Sequence, residues 1–491
     1  MRQRSLRFSV ILSLLVLCIL VVTAAPAFAK KPKKRKAAAE KAERLKRESE
    51  ARIAALYQMA MARTNQVASP SQPVIGAMND SGASIVAPVT PATNAQFLAD
   101  DAAPPALAPL AGTLLISEFR LRGPSGASDE FIEIYNNSGA DHTVAAISGT
   151  GYGVVASDGV LRCTIPNATV IPAGGHFLCT NSVAYSLAAY AAGDATYATD
   201  IADNAGIALF NNNSGGANFS LANRFDAVGS DSEANTLYRE GTGYATLTPF
   251  SINYAWVRDE CGKGGTITVL GPCTISTPKD TDNNVTDFFF TDTNGTSAGA
   301  GQRLGAPGPQ NLASPIQRNS TITANFLDNT VPQSNAPNRV RDFTSVPAQN
   351  STFGTLSIRR RFVNNTGANI TRLRFRVIDI STFPAPSGTA DLRARTSGVV
   401  VVAGINDSVT CTAAGQATPC SVAVQGTDVE GGEVGEVPNQ PNGGAFNSSL
   451  AVGTITLGTP LANGASINLQ FLLGIQQTGN FKLYVNVEAL P

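Results

Sequence analysis

Apolar and polar positions alternate in short runs along most of this chain, and turn residues separate the runs. Phe119 and Leu121 alternate with Glu118, Arg120 and Arg122, the period of a half-buried strand. The turn GPSGAS at 123–128 follows, then DEFIEIYNN at 129–137 with Ile132 and Ile134 on one face. Gly151–Ala156, His176–Thr180, Ile207–Phe210 and Tyr254–Arg258 continue the series at the short spacing of a β-sandwich. A second β-rich unit spans 316–491. LSIRRRFVNN at 356–365 and ITRLRFRVIDI at 370–380 flank the turn NNTGAN, which predicts a hairpin. Its Leu373, Phe375 and Val377 point one way, and Arg372, Arg374 and Arg376 the other. VVVVAG at 399–404, SLAVGTITL at 449–457, SINLQFLLGI at 466–475 and FKLYVNVEAL at 481–490 read as further strands.

The first 111 residues follow other patterns. Arg2, Arg4 and Arg7 precede the apolar run Phe8–Val22, and Ala27-Phe28-Ala29 fits a small-x-small cleavage site, so 1–29 reads as an export signal. Residues 30–63 lack Gly, carry only Pro32, and are rich in Ala, Glu, Lys and Arg, which predicts a basic helical stem. Glu40 and Arg44, and Glu43 and Arg47, stand at helical i,i+4 spacing. Pro, Ala, Ser and Asn dominate 64–111, the composition of a flexible linker. The formal net charge of +0 hides an asymmetry: residues 30–52 carry +7 and residues 53–491 carry −10. A basic stem on an acidic body suits contact with an anionic membrane surface or envelope polymer.

Of the 7 cysteines, Cys18 lies inside the signal. The others form three close couples, Cys163 with Cys179, Cys261 with Cys273, and Cys411 with Cys420. An even number grouped this way predicts three short-range disulfides and an oxidising compartment, which is the periplasm, cell surface or medium. Each such loop stabilises by about 3 kcal/mol in the chain-entropy account.

The stretch LLISEFRLRGPSGASDEFIEIYNN at 114–137 resembles the opening of the bacterial lamin-tail domain family. IPAGGHFLC at 171–179 resembles a mid-domain strand of that family. WVRDE at 256–260, DTDNNVTDF at 280–288 and APGPQN at 306–311 are similar to the way its exported versions end. The resemblance covers roughly 112–313 and implies an immunoglobulin-like β-sandwich acting as a binding or scaffolding module, with no catalytic residues to carry over. The expected organisation is therefore mainly β: a lamin-tail-like domain over 112–315, then a second β-sandwich-like domain over 316–491, behind the signal, stem and linker.

Candidate chemistry is sparse. Asp280, Asp282, Asn284 and Asp287 place oxygen ligands in one short loop, as a Ca²⁺ site needs, although Val285 and Thr291 stand where an EF-hand has Gly and Glu. Glu118, Asp129, Glu130 and Glu133 include potential carboxylate pairs of the glycosidase kind. The strand pattern instead predicts solvated or cross-strand paired carboxylates. His142 and His176 are the chain's 2 histidines, and neither neighbours a GxSxG elbow. A phosphate-binding GxxxxGK[ST] loop is absent too. Arg359, Arg360, Arg361, Arg372, Arg374 and Arg376 either form a basic face or pair with Asp379, Asp391 and the acidic loop Asp428, Glu430, Glu433 and Glu436; pairing is the expectation. The sequons at Asn167, Asn284 and Asn369 read as Asn-rich turns. These features predict an exported, envelope-associated, non-enzymatic protein that binds a protein or an anionic polymer, with no nucleic-acid partner. The alternatives are a Ca²⁺-assisted extracellular hydrolase and a surface-layer structural protein.

Overall fold

The computed structural model describes residues 112–247, 252–261, 277–295, 303–383, 389–432 and 436–491. The export signal, basic stem, linker and Cys273 read from the sequence lie outside these residues. The described chain is mainly β.

Its first part contains β1 (Leu114–Arg120), β2 (Phe131–Asn136), β3 (His142–Thr143), β4 (Gly151–Ala156), β5 (Leu161–Pro166) and β6 (Val170–Ile171). Then come β7 (His176–Asn181), β8 (Ala195–Tyr197), β9 (Ile207–Phe210), β10 (Arg224–Val228), β11 (Tyr254–Arg258), the one-turn helix α1 (Asn284–Asp287) and β12 (Phe288–Asp292). One sheet runs β12-β11-β1-β2-β7-β8 and a second runs β10-β9-β4-β5. Both are antiparallel except for the β7–β8 pair. Their facing sides share one core, in which Ile116, Phe119, Ile132, Ile134 and Trp256 meet Tyr152, Val154, Ile165, Leu209 and Phe225. The disulfide Cys163–Cys179 ties β5 of one sheet to β7 of the other.

The second part contains β13 (Ile316–Gln317), β14 (Ile322–Phe326), β15 (Arg339–Asp342), β16 (Thr355–Asn364), β17 (Arg372–Ile380), β18 (Asp391–Arg395) and β19 (Val400–Ile405). It continues with α2 (Ser408–Ala413), β20 (Cys420–Val424), β21 (Asp428–Val429), β22 (Ser449–Ala451), β23 (Ser466–Gln477) and β24 (Leu483–Leu490). Here the sheets run β13-β24-β17-β22-β21 and β14-β16-β23-β18, with β15 also on β16. A separate core joins them, built on Phe362, Phe375, Leu450, Leu469, Phe471 and Val485. The ribbon β19–β20 packs a small cluster of its own against Leu327, stapled to α2 by Cys411–Cys420. Cys261 is also disulfide-bonded.

Two strand expectations are corrected. β16 and β17 do not form a hairpin: β16 pairs with β14, β15 and β23, and β17 with β22 and β24. The segment between them crosses from one sheet to the other, because each strand has an apolar face that gains more by burial across the core. Phe362 and Phe375 meet there with ring centroids 4.8 Å apart. β1 is not half-buried either. Glu118 and Arg120 are 3% and 0% exposed, so its polar face is covered as fully as its apolar one. Gly308 and Asn447 cover Glu118 from the later part of the chain, while the first part's own Asp129, Ser186 and Asn253 enclose Arg120. The six-stranded sheet and the sheet containing β17 and β24 oppose each other through their polar sides. The described body is thus a stack of four sheets, with an apolar core in each outer gap and a polar seam in the middle.

Candidate functional site

The seam gathers a dense set of charged groups away from water. Glu118 on β1 and Glu133 on β2 are directly opposite in the strand register. Arg374 and Arg376 on β17 face them, with Glu488 on β24, itself the register partner of Arg374. Glu488 accepts from Arg374 Nε at 2.5 Å and from Arg376 Nε at 2.9 Å. Arg374 also reaches Glu430 at 3.3 Å, as Arg372 does at 2.9 Å. Tyr190, from the first part of the chain, hydrogen-bonds Ser449 of the second at 3.2 Å. The acidic partners expected for Arg372–Arg376 thus include Glu430; Glu488 was not foreseen.

The two glutamates hold the connecting segment. Gly308 N donates to Glu118 Oε1 at 2.8 Å, and Gln310 N donates to Glu133 Oε2 at 2.5 Å. Asn447 Nδ2 donates to Glu118 Oε2 at 2.9 Å, and Ser117 Oγ donates to Glu133 Oε1 at 2.5 Å. Every carboxyl oxygen of the pair is therefore used. A Cβ at Gly308 would lie 2.3 Å from Arg376 Nη1 and 2.9 Å from Asn447 O, so a larger residue there would have to displace the arginine from Asn447.

Burial and the neighbouring Glu118 push Glu133 up to about 8, and burial also raises Glu118 against the pull of Arg376. Protonation of either carboxyl lowers the like-charge repulsion between them. Burial, then Arg376 and Arg374, hold His176 well below the usual imidazole range. Its contact with Glu133 at 3.6 Å is therefore not an ion pair at neutral pH. A cavity of ≈ 70 Å³ lies among Glu133, His176, Gln310, Arg376 and Glu488. Nδ1 of His176 and Nη2 of Arg374 and Arg376 are buried there or beside it without a hydrogen-bond partner. The volume exceeds the ~10–15 Å³ that one water needs, but it has no room for a polymer chain.

The other carboxylates of the sequence reading are buried as well, not solvated. Asp129 pairs with Arg120 and accepts from Ser186 N. Glu130 accepts from Ile201 N at 2.7 Å and from Asn181 Nδ2 at 3.0 Å, and burial raises it to about 7.

The four proposed Ca²⁺ ligands do not converge on one point. Asn284 spends its whole amide on backbone: its oxygen accepts from Gly229 and Glu240 N–H, and its nitrogen donates to Ala227 O. Asp287 accepts from Thr281 N, Thr281 Oγ1 and Asn283 N, which closes the loop before α1. Asp282 is exposed, with φ 54. Asp280 instead joins Asp226 and Glu240, with one carboxylate oxygen of each within 4.8 Å of the others. These three are the residues that would hold a hard cation.

The cluster already contains a positive charge. Arg258 lies 2.5 Å from Asp226 and 3.4 Å from Asp280. Arg224 pairs with Glu240 at 2.9 Å. Burial and Asp226 push Glu240 up to about 9, and the same two causes push Asp280 to about 6. Glu240 is thus protonated near neutrality, and a divalent ion would have to displace that proton and compete with Arg258. Asp226 and Glu240 lie 40 to 54 residues from Asp280, so a search within one loop misses them.

Among the arginines, Arg359, Arg360 and Arg361 behave unlike Arg372–Arg376. Burial lowers all three, and the one acid that bears on them is Asp407, near Arg361. Comparison of the chain with protein-family models, curated proteins and solved structures finds no match.

Proposed function

We propose that this chain is an exported, cell-envelope-associated, non-enzymatic binding or scaffolding protein. On this reading its first sheet pair is an immunoglobulin-like sandwich of the bacterial lamin-tail type, and its second is a further sandwich-like domain. The observation that carries the proposal is the seam. Glu118 and Glu133 grip the backbone of 308–310, and Glu488 clamps Arg374 and Arg376, so the two sheet pairs form one body. A body of this kind holds loops at fixed separations, as a display scaffold requires. Glu118, Glu133, Asp129 and Glu130 support a structural role, because each spends its oxygens on internal hydrogen bonds. The disulfides Cys163–Cys179 and Cys411–Cys420 fit an oxidising compartment. Arg359 on β16, with the basic stem, suits a partner that is an anionic polymer or an acidic protein surface.

The test is co-sedimentation of the full-length protein with isolated envelope fractions. The expected result is binding that weakens as salt rises. Failure to bind any envelope fraction at low and physiological salt would overturn the reading.

A further inference from the structure

We infer that the second sheet pair carries a binding site for a free, single-chain apolar carboxylate of medium length, with its head at Arg339 and its tail between the sheets. This site goes beyond the display reading and does not depend on it.

The groove measures ≈ 320 Å³, and Leu356, Leu392, Ile475 and Phe481 form its apolar floor. This is the low end of the range for small-molecule pockets, about ten water-sized volumes. The strand register explains why cations stand over an apolar floor. β15 caps the edge of β16, with Arg339 opposite Ile358 and Arg341 opposite Leu356. Opposite residues share a face, so both arginines lie on the side that carries the core. At this edge the neighbouring sheet does not close over them.

Their hydrogen bonding distinguishes the two. Arg341 spends both terminal nitrogens on the carbonyls of Asp342, Thr355 and Phe353 and lies over the Phe343 ring. Arg339 donates through Nε to Ser334 O at 3.3 Å, and its two terminal nitrogens have no partner among the described residues. Desolvation alone bears on Arg339, with no acid nearby to offset it. Behind it, Arg360 is 1% exposed, makes no ion pair among the described residues, and stacks over Phe326 at 4.9 Å. Burial and the charge of Arg339 lower it to about 10. Arg339 thus lines an apolar groove with the like charge of the buried Arg360 behind it, and neither has a counter-anion among the described residues. A carboxylate on Arg339 would relieve that repulsion, and an attached apolar chain would fill the groove against its apolar lining. An inorganic anion would answer the charge but leave the groove unfilled, and a neutral chain would do the reverse.

The experiment is calorimetric titration of the full-length protein with decanoate, decanol and acetate, all below micelle-forming concentrations. Decanoate is expected to saturate one site, decanol to bind at least about tenfold more weakly, and acetate not to bind measurably. Arg339→Gln, at a half-exposed position where unfolding is not expected, should weaken decanoate by about tenfold and leave decanol within about twofold. Phe481→Ala should weaken both ligands, with an unchanged far-UV circular dichroism spectrum at the titration temperature confirming the fold. Absence of decanoate saturation, equal affinity for decanol, or unchanged decanoate binding in Arg339→Gln would each overturn the site. So would binding confined to anionic lipid vesicles, since that would make the ligand a membrane surface.

Discussion

Replacing Glu488 by Gln removes the one negative charge that both seam arginines share. Its carboxylate lies 2.5 Å from Arg374 Nε and 2.9 Å from Arg376 Nε, and all three side chains are buried. Burial pushes the Glu488 carboxyl up, but Arg374 and Arg376 outweigh it and hold the group below its usual range. Breaking a buried pair by removing one partner costs about 3–5 kcal/mol. Here Arg374 keeps Glu430 at 3.3 Å, and Arg376 keeps both the carbonyl and the side-chain oxygen of Asn447. The loss should therefore fall at the low end, about 3 kcal/mol at pH 7. The assay is urea unfolding followed by the fluorescence of Trp256, the chain's single Trp, which reports the first core, together with far-UV circular dichroism for the whole body. Adding Arg376→Met to Glu488→Gln should cost less than the sum of the single changes, because the orphaned cation disappears. The pH sign follows from the depressed carboxyl: its contribution is present above the unfolded value and is lost as pH falls through the folded one. A loss below about 1 kcal/mol, or strict additivity in the double variant, would show that the seam arginines do not depend on Glu488.

Glu133 predicts the opposite pH behaviour. Its raised carboxyl contributes stability below the unfolded value that is lost as pH rises toward about 8, so Glu133→Gln should flatten the alkaline side of the stability profile. Gly305→Ala should destabilise by more than about 2 kcal/mol, because a Cβ there would lie 2.2 Å from Phe446 O and 2.3 Å from Thr291 Oγ1; chemical denaturation measures it. Cys163→Ser with Cys179→Ser opens a link between residues 16 apart, for an expected loss of about 3 kcal/mol in denaturant titrations. If Asp226, Glu240 and Asp280 bind Ca²⁺ despite Arg258, the ion should raise the melting temperature, and Glu240→Gln should abolish the shift; an unchanged melting curve with Ca²⁺ assigns the cluster to Arg258 and Arg224.

The amino-acid pattern by itself determined the strand segments. A period of two is a local property, and turn residues such as GPSGAS mark the ends, so β1, β2, β4, β7, β9, β11 and the long strands of the second part are legible without coordinates. The disulfides Cys163–Cys179 and Cys411–Cys420 were legible for the same reason, since their partners lie close along the chain. Partnering between distant segments was not. The sequence reading paired β16 with β17 because they are adjacent, whereas the apolar faces of both are buried only if they lie in opposite sheets. The polar faces of β1 and β17 carried a faint signal, Glu118 and Arg120 on one and Arg372, Arg374 and Arg376 on the other. Alternation states that a side is polar; it does not state whether water or another sheet covers it. Only the stacking of the two inner sheets decided that, and with it the burial of Glu118, Glu133, Arg374, Arg376 and Glu488. That is a property of surfaces brought together from segments hundreds of residues apart, where desolvation and charge act over distances in space and not along the chain.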